Sequence, residues 1–335
     1  MKIIIPMAGR GSRLRPHTLT VPKPLMPIAG KPIVQRLVED IANVINQKID
    51  EVAFIIGDFG AEVEADLMQI AQKLGAKGSI YHQTEPLGTA HAIMCAKDSL
   101  QGNCVVAFAD TLFKADFTLD ANADGVIWVK QVADPSAFGV VKLNEANQIT
   151  DFVEKPKEFV SDLAIIGIYY FKEGELLRDE LQYLLDNKIT KGGEYQLTDG
   201  LENMKQKGKI FVPGTVKEWM DCGNKDATVD TNKMTLTFDH ADQKPLISND
   251  VKLINSKIIE PCYIGKNVLL TNSTVGPHVT LGDDCVINNA TLENCLIQND
   301  TKILNTKLQN SMLGSHVHYD GEFTSVSLGD YSVME

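Results

Sequence analysis

Short apolar runs alternate with helical periodicities through about the first 110 residues. The stretches Lys2–Pro6, Glu51–Ile56, Ser79–His82 and Cys104–Ala109 read as strands. Between the first two, Ile33, Val34, Leu37, Val38, Ile41, Val44 and Ile45 share one helical face, with Pro32 suited to the first-turn position. A second helical period carries Val63, Leu67, Ile70, Ala71 and Leu74. Strand and helix in alternation predict an α/β domain built on a parallel sheet with crossover helices. Strands dominate beyond residue 124, at Gly125–Lys130, Phe138–Leu143, Ile149–Glu154 and Ala164–Phe171, so the sheet is expected to be mixed. Helical patterns resume near Glu173–Asp186 and Gln196–Gln206.

A polar stretch, Asp239 to Pro245, precedes a different rhythm. Apolar residues recur every six positions at Ile258, Ile264 and Leu270, and again at Val275, Leu281 and Ile287, with Gly265, Gly276 and Gly282 following them. Leu313-Gly314 repeats the motif. Such spacing predicts a parallel β-helix in which apolar residues point inward and glycine eases the corners, whereas a sandwich would alternate by two. At three hexapeptides per turn, Val251 to His318 makes about four coils. The expected organisation is a Rossmann-like mixed-sheet domain over 1–237, a linker over 238–250, the repeat domain over 251–320 and a tail over 321–335.

Composition narrows the function classes. The chain has 335 residues, 44% hydrophobic and 23% charged, which is ordinary for a folded protein of two domains. Its formal net charge of −12 argues against nucleic acid as a partner, since backbone binding needs clustered cations. Ile3-Ile4-Ile5 before Pro6 is too short a run for a signal core or a membrane span, so a cytoplasmic location without membrane partners is expected. The six cysteines form no C-x-x-C pair, and reduced, buried thiols are expected.

Candidate chemistry begins after the first strand, where Ala8-Gly9-Arg10-Gly11-Ser12-Arg13-Leu14-Arg15-Pro16 is followed by Pro22-Lys23-Pro24-Leu25. Small residues let successive N–H groups approach phosphate oxygens. Leu14 stands where a dinucleotide fingerprint needs its third glycine, and no Walker pattern occurs. Asp110 ends an apolar strand, where open α/β sheets bind ligands, and Asp221 follows Trp219-Met220. Two such carboxylates suit Mg²⁺, which takes a few carboxylate oxygens together with substrate phosphates.

This loop resembles the signature of the sugar-1-phosphate nucleotidyltransferases, typified by glucose-1-phosphate thymidylyltransferases of the long form with a C-terminal left-handed β-helix. The resemblance continues in order through Gln83, Leu87-Gly88-Thr89-Ala90, Phe138-Gly139-Val140-Val141, Glu154-Lys155-Pro156 and Trp219-Met220-Asp221. Arg10, Ser12 and Ala109 depart from the usual glycine, threonine and glycine, leaving the charged positions intact. The resemblance implies a reaction in which a sugar 1-phosphate attacks the α-phosphorus of a nucleoside triphosphate and releases pyrophosphate, with Mg²⁺ as cofactor on Asp110 and Asp221. It assigns the departing pyrophosphate to Arg13, the α-phosphate region to Lys23 and the sugar phosphate to Lys155. It puts the nucleotide on Ala8, Gly9, Gly11, Gln83, Gly88 and Thr89. The sugar falls to Gly139, Glu154 and Gly167, with Glu194 beside them unless that residue serves an edge salt bridge. Because a carboxamide both donates and accepts, Gln83 alone leaves the base open. Thymidylyl transfer to glucose 1-phosphate leads, with uridylyl or guanylyl transfer and a non-catalytic sugar-nucleotide-binding subunit as alternatives. The repeat is expected to serve structure and homo-oligomer assembly.

Overall fold

The computed structural model describes residues 1–9, 11–45, 47–115 and 123–322, so Arg10 lies outside the described residues. In chain order the strands are β1 Lys2–Pro6, β2 Pro27–Ile28, β3 Lys31–Pro32, β4 Glu51–Ile56, β5 Lys77–His82, β6 Cys104–Ala107 and β7 Thr111–Lys114. They continue with β8 Gly125–Gln131, β9 Gly139–Leu143, β10 Ile149–Glu154, β11 Leu163–Phe171, β12 Phe211–Thr215 and β13 Glu218–Asp221. Among the described residues six α-helices accompany them: α1 Ile33–Ile45, α2 Ala61–Lys73, α3 Thr89–Cys95, α4 Gly174–Asp186, α5 Leu197–Gln206 and α6 Lys225–Ala241. Two compact units result, one of Met1–Gly9 with Leu37–Trp219, the other of Arg10–Arg36 with Met220–Glu335.

The first unit is the expected mixed sheet, ordered β10-β9-β11-β6-β1-β4-β5, with β8 pairing β11 and β12. Strands β6, β1, β4 and β5 run parallel, while β11 pairs antiparallel with β6, β8 and β9. Alternate residues of the central strands, Ile4, Ala53, Ile55 and Val106, join one core with Ile93 of α3, Leu177 and Leu181 of α4 and Leu201 of α5. That packing fixes the carboxyl ends of β5 and β6, where Gln83 and Asp110 follow. In β11 the register shifts between Ile165 and Tyr169, with Gly167 in the left-handed region at φ 83°. The carbonyl released by this bulge accepts Phe108 N–H at 3.0 Å, two residues before Asp110.

The second unit contains three parallel ladders, starting at Lys252–Ile254, Lys257–Ile258 and Cys262–Ile264. Register steps along the first ladder are 17, 17, 16 and 16 residues, from Lys252 through Leu269, Val286 and Lys302 to His318. The turn is thus shorter than three full hexapeptides. The missing residues are absorbed at corners where Asn255, Asn272, Asn289 and Asn305 adopt φ of 47–51°, a conformation asparagine tolerates. Their amides stack, Asn255 donating to Asn272 at 2.9 Å and Asn289 to Asn305 at 2.9 Å. Inside, Ile264, Leu270, Val275, Leu281, Ile287, Leu292, Ile297 and Ile303 are essentially inaccessible, with Cys285 and Cys295 among them.

The polar stretch after Asp239 is not simply a linker: α6 continues to Ala241 and Asp239 is buried. Pro32, expected to open a helix, instead pairs with Pro27 in the β2–β3 hairpin, and α1 starts one residue later.

Candidate active site

In the first unit two groups of side chains share one strap of chain, 194–198. On the first side, Gln83 follows β5, and its Nε2 lies 3.1 Å from His91 Nδ1 and 3.4 Å from the Gly88 carbonyl. Gly88 has φ 110°, and a Cβ there would fall 2.5 Å from the Tyr195 carbonyl. The motif Leu87-Gly88-Thr89-Ala90 grips the strap through its backbone. Tyr195 N–H donates to Leu87 O at 2.8 Å, Ala90 N–H to Tyr195 O at 3.0 Å and Leu197 N–H to Thr89 Oγ1 at 2.9 Å. Thr89, expected at the nucleotide, thus accepts a strap hydrogen bond through its hydroxyl oxygen.

On the other side Gly139 and Glu154 face each other across the β9–β10 pair. A Cβ on Gly139 would sit 2.9 Å from Glu154 Oε2, so glycine leaves the carboxylate its place. Thr198 on the strap donates to that oxygen at 3.5 Å. Burial pushes the Glu154 carboxyl up from its ordinary value, against the opposing pull of Lys155. Lys155 is exposed with φ 41°, its N–H held by Phe138 O at 3.1 Å, and Phe138 packs edge-on to Trp219 at 4.9 Å. Glu194 sits at the head of the strap against Gly88, accepting Gln196 Nε2 at 3.2 Å. Asp110 is half-buried in the turn after β6, two residues beyond Phe108, whose N–H bonds the Gly167 carbonyl. Ala8 and exposed Gly9 leave the end of β1, Ala8 O lying 3.0 Å from where a Cβ on Gly57 would stand.

The second unit holds the remaining candidates. Gly11, φ 81°, is the entry to the 3-10 turn Ser12–Leu14, anchored by buried Leu14 and by Thr18 Oγ1 donating to Gly11 O at 2.7 Å. A Cβ on Gly11 would meet Lys23 Cβ at 2.8 Å, so this glycine seats the buried stem of Lys23. Arg13 projects from the same turn and is exposed. The Asp221 carbonyl accepts Thr231 Oγ1 at 2.7 Å, and a Cβ on Gly223 would crowd Asp221 Oδ2 at 2.8 Å.

This loop is braced from within its own unit. Arg36 is buried, pairs with Asp239 Oδ2 at 2.9 Å, and donates to the carbonyls of Ile28 and Ala29 at 2.7 Å each. Asn232 Oδ1 accepts both Ala29 N–H at 3.0 Å and Thr280 Oγ1 at 2.7 Å, tying the β2–β3 turn through α6 to the repeat. Tyr263 lies where a Cβ on Gly30 would be, at 2.1 Å. The sequence reading singled out none of Tyr195, Thr198, His91, Arg36 or Asn232. Among the described residues no cluster of three or more His, Cys, Asp or Glu side chains is suited to a metal.

A family model described as nucleotidyl transferase matches residues 2–237. The chain is 28% identical over 340 residues to a glucose-1-phosphate thymidylyltransferase of Streptomyces griseus, covering 95% of this chain and 93% of that protein. It is 31% identical over 263 residues to the bifunctional protein GlmU of Methanococcus maripaludis, covering 78% of this chain and 60% of that one. A crystal structure of UDP-glucose pyrophosphorylase complexed with UDP-glucose shares the fold, with a TM-score of 0.57 at 24% identity over 71% of this chain and 98% of that one. No helix among the described residues is long and apolar enough to cross a membrane. The chain belongs to the nucleotidyl transferase family and is a homologue of sugar-1-phosphate nucleotidyltransferases.

Proposed function

We propose that the protein condenses a nucleoside triphosphate with a sugar 1-phosphate to a nucleotide sugar and pyrophosphate, with thymidine triphosphate and glucose 1-phosphate as the leading pair. The supporting observation is the strap 194–198, which links a base-reading carboxamide at Gln83 to a sugar-reading carboxylate at Glu154. The leading pair rests on the match to the Streptomyces thymidylyltransferase along 95% of this chain.

A sugar phosphate is ionised at neutral pH, so its oxygen attacks the α-phosphorus without a protein base, and the protein's task is to bring two polyanions together. Lys155 takes the sugar phosphate, Lys23 the α-phosphate region and Arg13 the departing pyrophosphate. Glu154 accepts sugar hydroxyls, with Gly139 and Gly167 admitting the ring. By the family resemblance Asp110 and Asp221 would hold Mg²⁺, a hard cation that takes carboxylate oxygens together with substrate phosphate oxygens. When bound, the ion neutralises charge on the reacting phosphates. We read the stacked ladders as a left-handed β-helix and the active form as a cytoplasmic homo-oligomer.

A matrix of five triphosphates against several sugar 1-phosphates, followed by pyrophosphate release, tests this. One base and one sugar are expected to dominate. Release that ignores the sugar phosphate contradicts the reading.

A further inference from the structure

The third ladder of the repeat, begun by Cys262–Ile264, continues through Val279–Leu281, Leu296–Ile297 and Met312–Leu313. Ile264, Val279, Leu281, Cys295 and Ile297 belong to the core inside the coils, so alternation turns Tyr263, Thr280, Leu296 and Met312 outward. Outward positions on the first two ladders meet solvent at Lys252, Lys257, Lys302 and Lys307, all exposed. Thr280 and Leu296 are instead only 3% and 0% accessible. Three contacts identify part of what covers this face as α6 and the segment that carries Arg13 and Lys23. Tyr263 stands where a Cβ on Gly30 would be, Thr280 meets Asn232 of α6, and a Cβ on Gly314 would lie 3.9 Å from His17 Nδ1.

Asn232 is the joint of this contact. It is completely buried, and the Ala29 N–H 3.0 Å away can only donate, which fixes the amide oxygen Oδ1 as the atom facing it. Thr280 Oγ1, 2.7 Å from the same oxygen, therefore donates to it as well. Ala29 adopts φ 45°, a left-handed conformation that is costly for a residue with a Cβ. The strained turn is gripped on both sides, its N–H by Asn232 and its carbonyl by Arg36 at 2.7 Å. It leads back to Lys23 through Met26, whose N–H donates to Lys23 O at 3.0 Å and whose carbonyl accepts Ile33 N–H at 3.1 Å. Beside Asn232, Thr231 Oγ1 donates to the Asp221 carbonyl at 2.7 Å.

We propose that Thr280 and Asn232 are positioning residues for the triphosphate side of the site: through their shared oxygen the repeat fixes the turn that follows Lys23 and the helix that holds the Asp221 backbone. The repeat is then part of the machinery that places the reacting phosphates, in addition to any role in assembly. This rests on the proposed function, which assigns Lys23 to the α-phosphate region. Glu154 and Lys155, assigned there to the sugar phosphate, belong to the other unit and share none of these bonds.

Thr280→Val keeps the shape and deletes the donated bond, Thr280→Ser keeps the hydroxyl, and Thr274→Val makes the same change on the second ladder. Calorimetric titration with magnesium and inorganic pyrophosphate, which carries no base, reads the loop directly. KM and kcat for thymidine triphosphate and glucose 1-phosphate accompany it. Thr280→Val should weaken pyrophosphate binding and kcat/KM for the triphosphate about fivefold, the scale of one net hydrogen bond, with KM for glucose 1-phosphate unchanged. Thr280→Ser and Thr274→Val should match the parent. Parent-like pyrophosphate binding in Thr280→Val, an equal loss on both substrates, a serine variant as weak as the valine one, or a like loss in Thr274→Val overturns the proposal. If Thr280→Val does not fold, Gly314→Leu, which presses on His17 and leaves Asn232 intact, should show the same one-sided loss, and parent-like binding there is equally fatal. Weakened pyrophosphate binding in Thr280→Val, alongside a parent that releases no pyrophosphate with any sugar phosphate, sinks the proposed reaction and leaves the positioning role standing.

Discussion

Replacing Arg36 with methionine removes a buried cation from a site where three oxygens depend on it. The parent guanidinium holds Asp239 at 2.9 Å and two backbone carbonyls at 2.7 Å each. Breaking a buried pair by deleting one member costs about 3–5 kcal/mol. Lys244 still reaches Asp239 Oδ1 at 2.6 Å, so the lower end, about 3 kcal/mol, is expected. At a tenfold effect per 1.4 kcal/mol this corresponds to roughly a hundredfold loss of protection. Hydrogen exchange at Ala29 N–H, which bonds Asn232 in the same brace, reads it locally. Burial pushes the Asp239 carboxyl up, yet Arg36 and Lys244 outweigh it and hold it below the ordinary carboxylate range. A depressed folded value stabilises above the unfolded value, near 4, and the contribution disappears as pH falls through the folded one. The deficit of the variant should therefore be largest near neutrality and shrink in acid. An exchange rate at Ala29 within threefold of the parent, or a deficit that grows on acidification, would refute the reasoning.

Asp110→Asn and Asp221→Asn should each cut turnover at least a hundredfold with little change in thermal unfolding, as a charge is lost without volume; near-parent rates at millimolar magnesium would remove either residue from the site. Because burial raises the Glu154 carboxyl, KM for the sugar phosphate should climb on the acid side at a pH above the ordinary 4.5, and Glu154→Gln should abolish that limb. Its stability sign is opposite to that of Asp239: a raised folded value makes ionised Glu154 destabilising, so Glu154→Gln should unfold no earlier than the parent above that pH. Gly139→Ala, whose methyl would press on Glu154 Oε2 at 2.9 Å, should weaken sugar-phosphate binding several-fold while leaving triphosphate binding intact in calorimetric titration. Deleting 246–335 takes Thr280 and Tyr263 from the brace, so the truncated chain should lose stability and part of its rate; an unchanged melting temperature would make the repeat independent of the loop.

What was legible in the sequence followed from apolar periodicity. The strands β1, β4 and β10 lie where their runs of Ile, Val and Phe predict, and the repeat declares itself through an inward column of apolar residues. Helix α6 escaped because its buried stripe is mostly polar: Thr228, Thr231, Asn232, Thr235 and Asp239 outnumber Val229 and Leu236 at the positions where a periodicity search looks for Leu or Ile. Threonine is also a weak helix former, so propensity gave no second signal. Of the glycines near the repeat corners, Gly276 alone has positive φ, 110°. Gly282 is needed for close approach instead, since a Cβ would lie 2.2 Å from Asn299 Oδ1 one turn on. The corner signal that could have been found is asparagine at 255, 272, 289 and 305, whose spacing reports the turn length directly. In the site, motifs marked Gln83, Gly88 and Glu154, but the strap that joins them is held through backbone atoms of Tyr195 and Leu197, which no side-chain pattern announces.

Phosphorus NMR of the purified protein with magnesium, the preferred triphosphate and the preferred sugar 1-phosphate tests the central claim most directly. Pyrophosphate and a nucleoside diphosphate sugar should appear in equal amounts, only when both substrates are present, and not with Asp110→Asn. Triphosphate loss without the sugar phosphate, or products other than this pair, would contradict it.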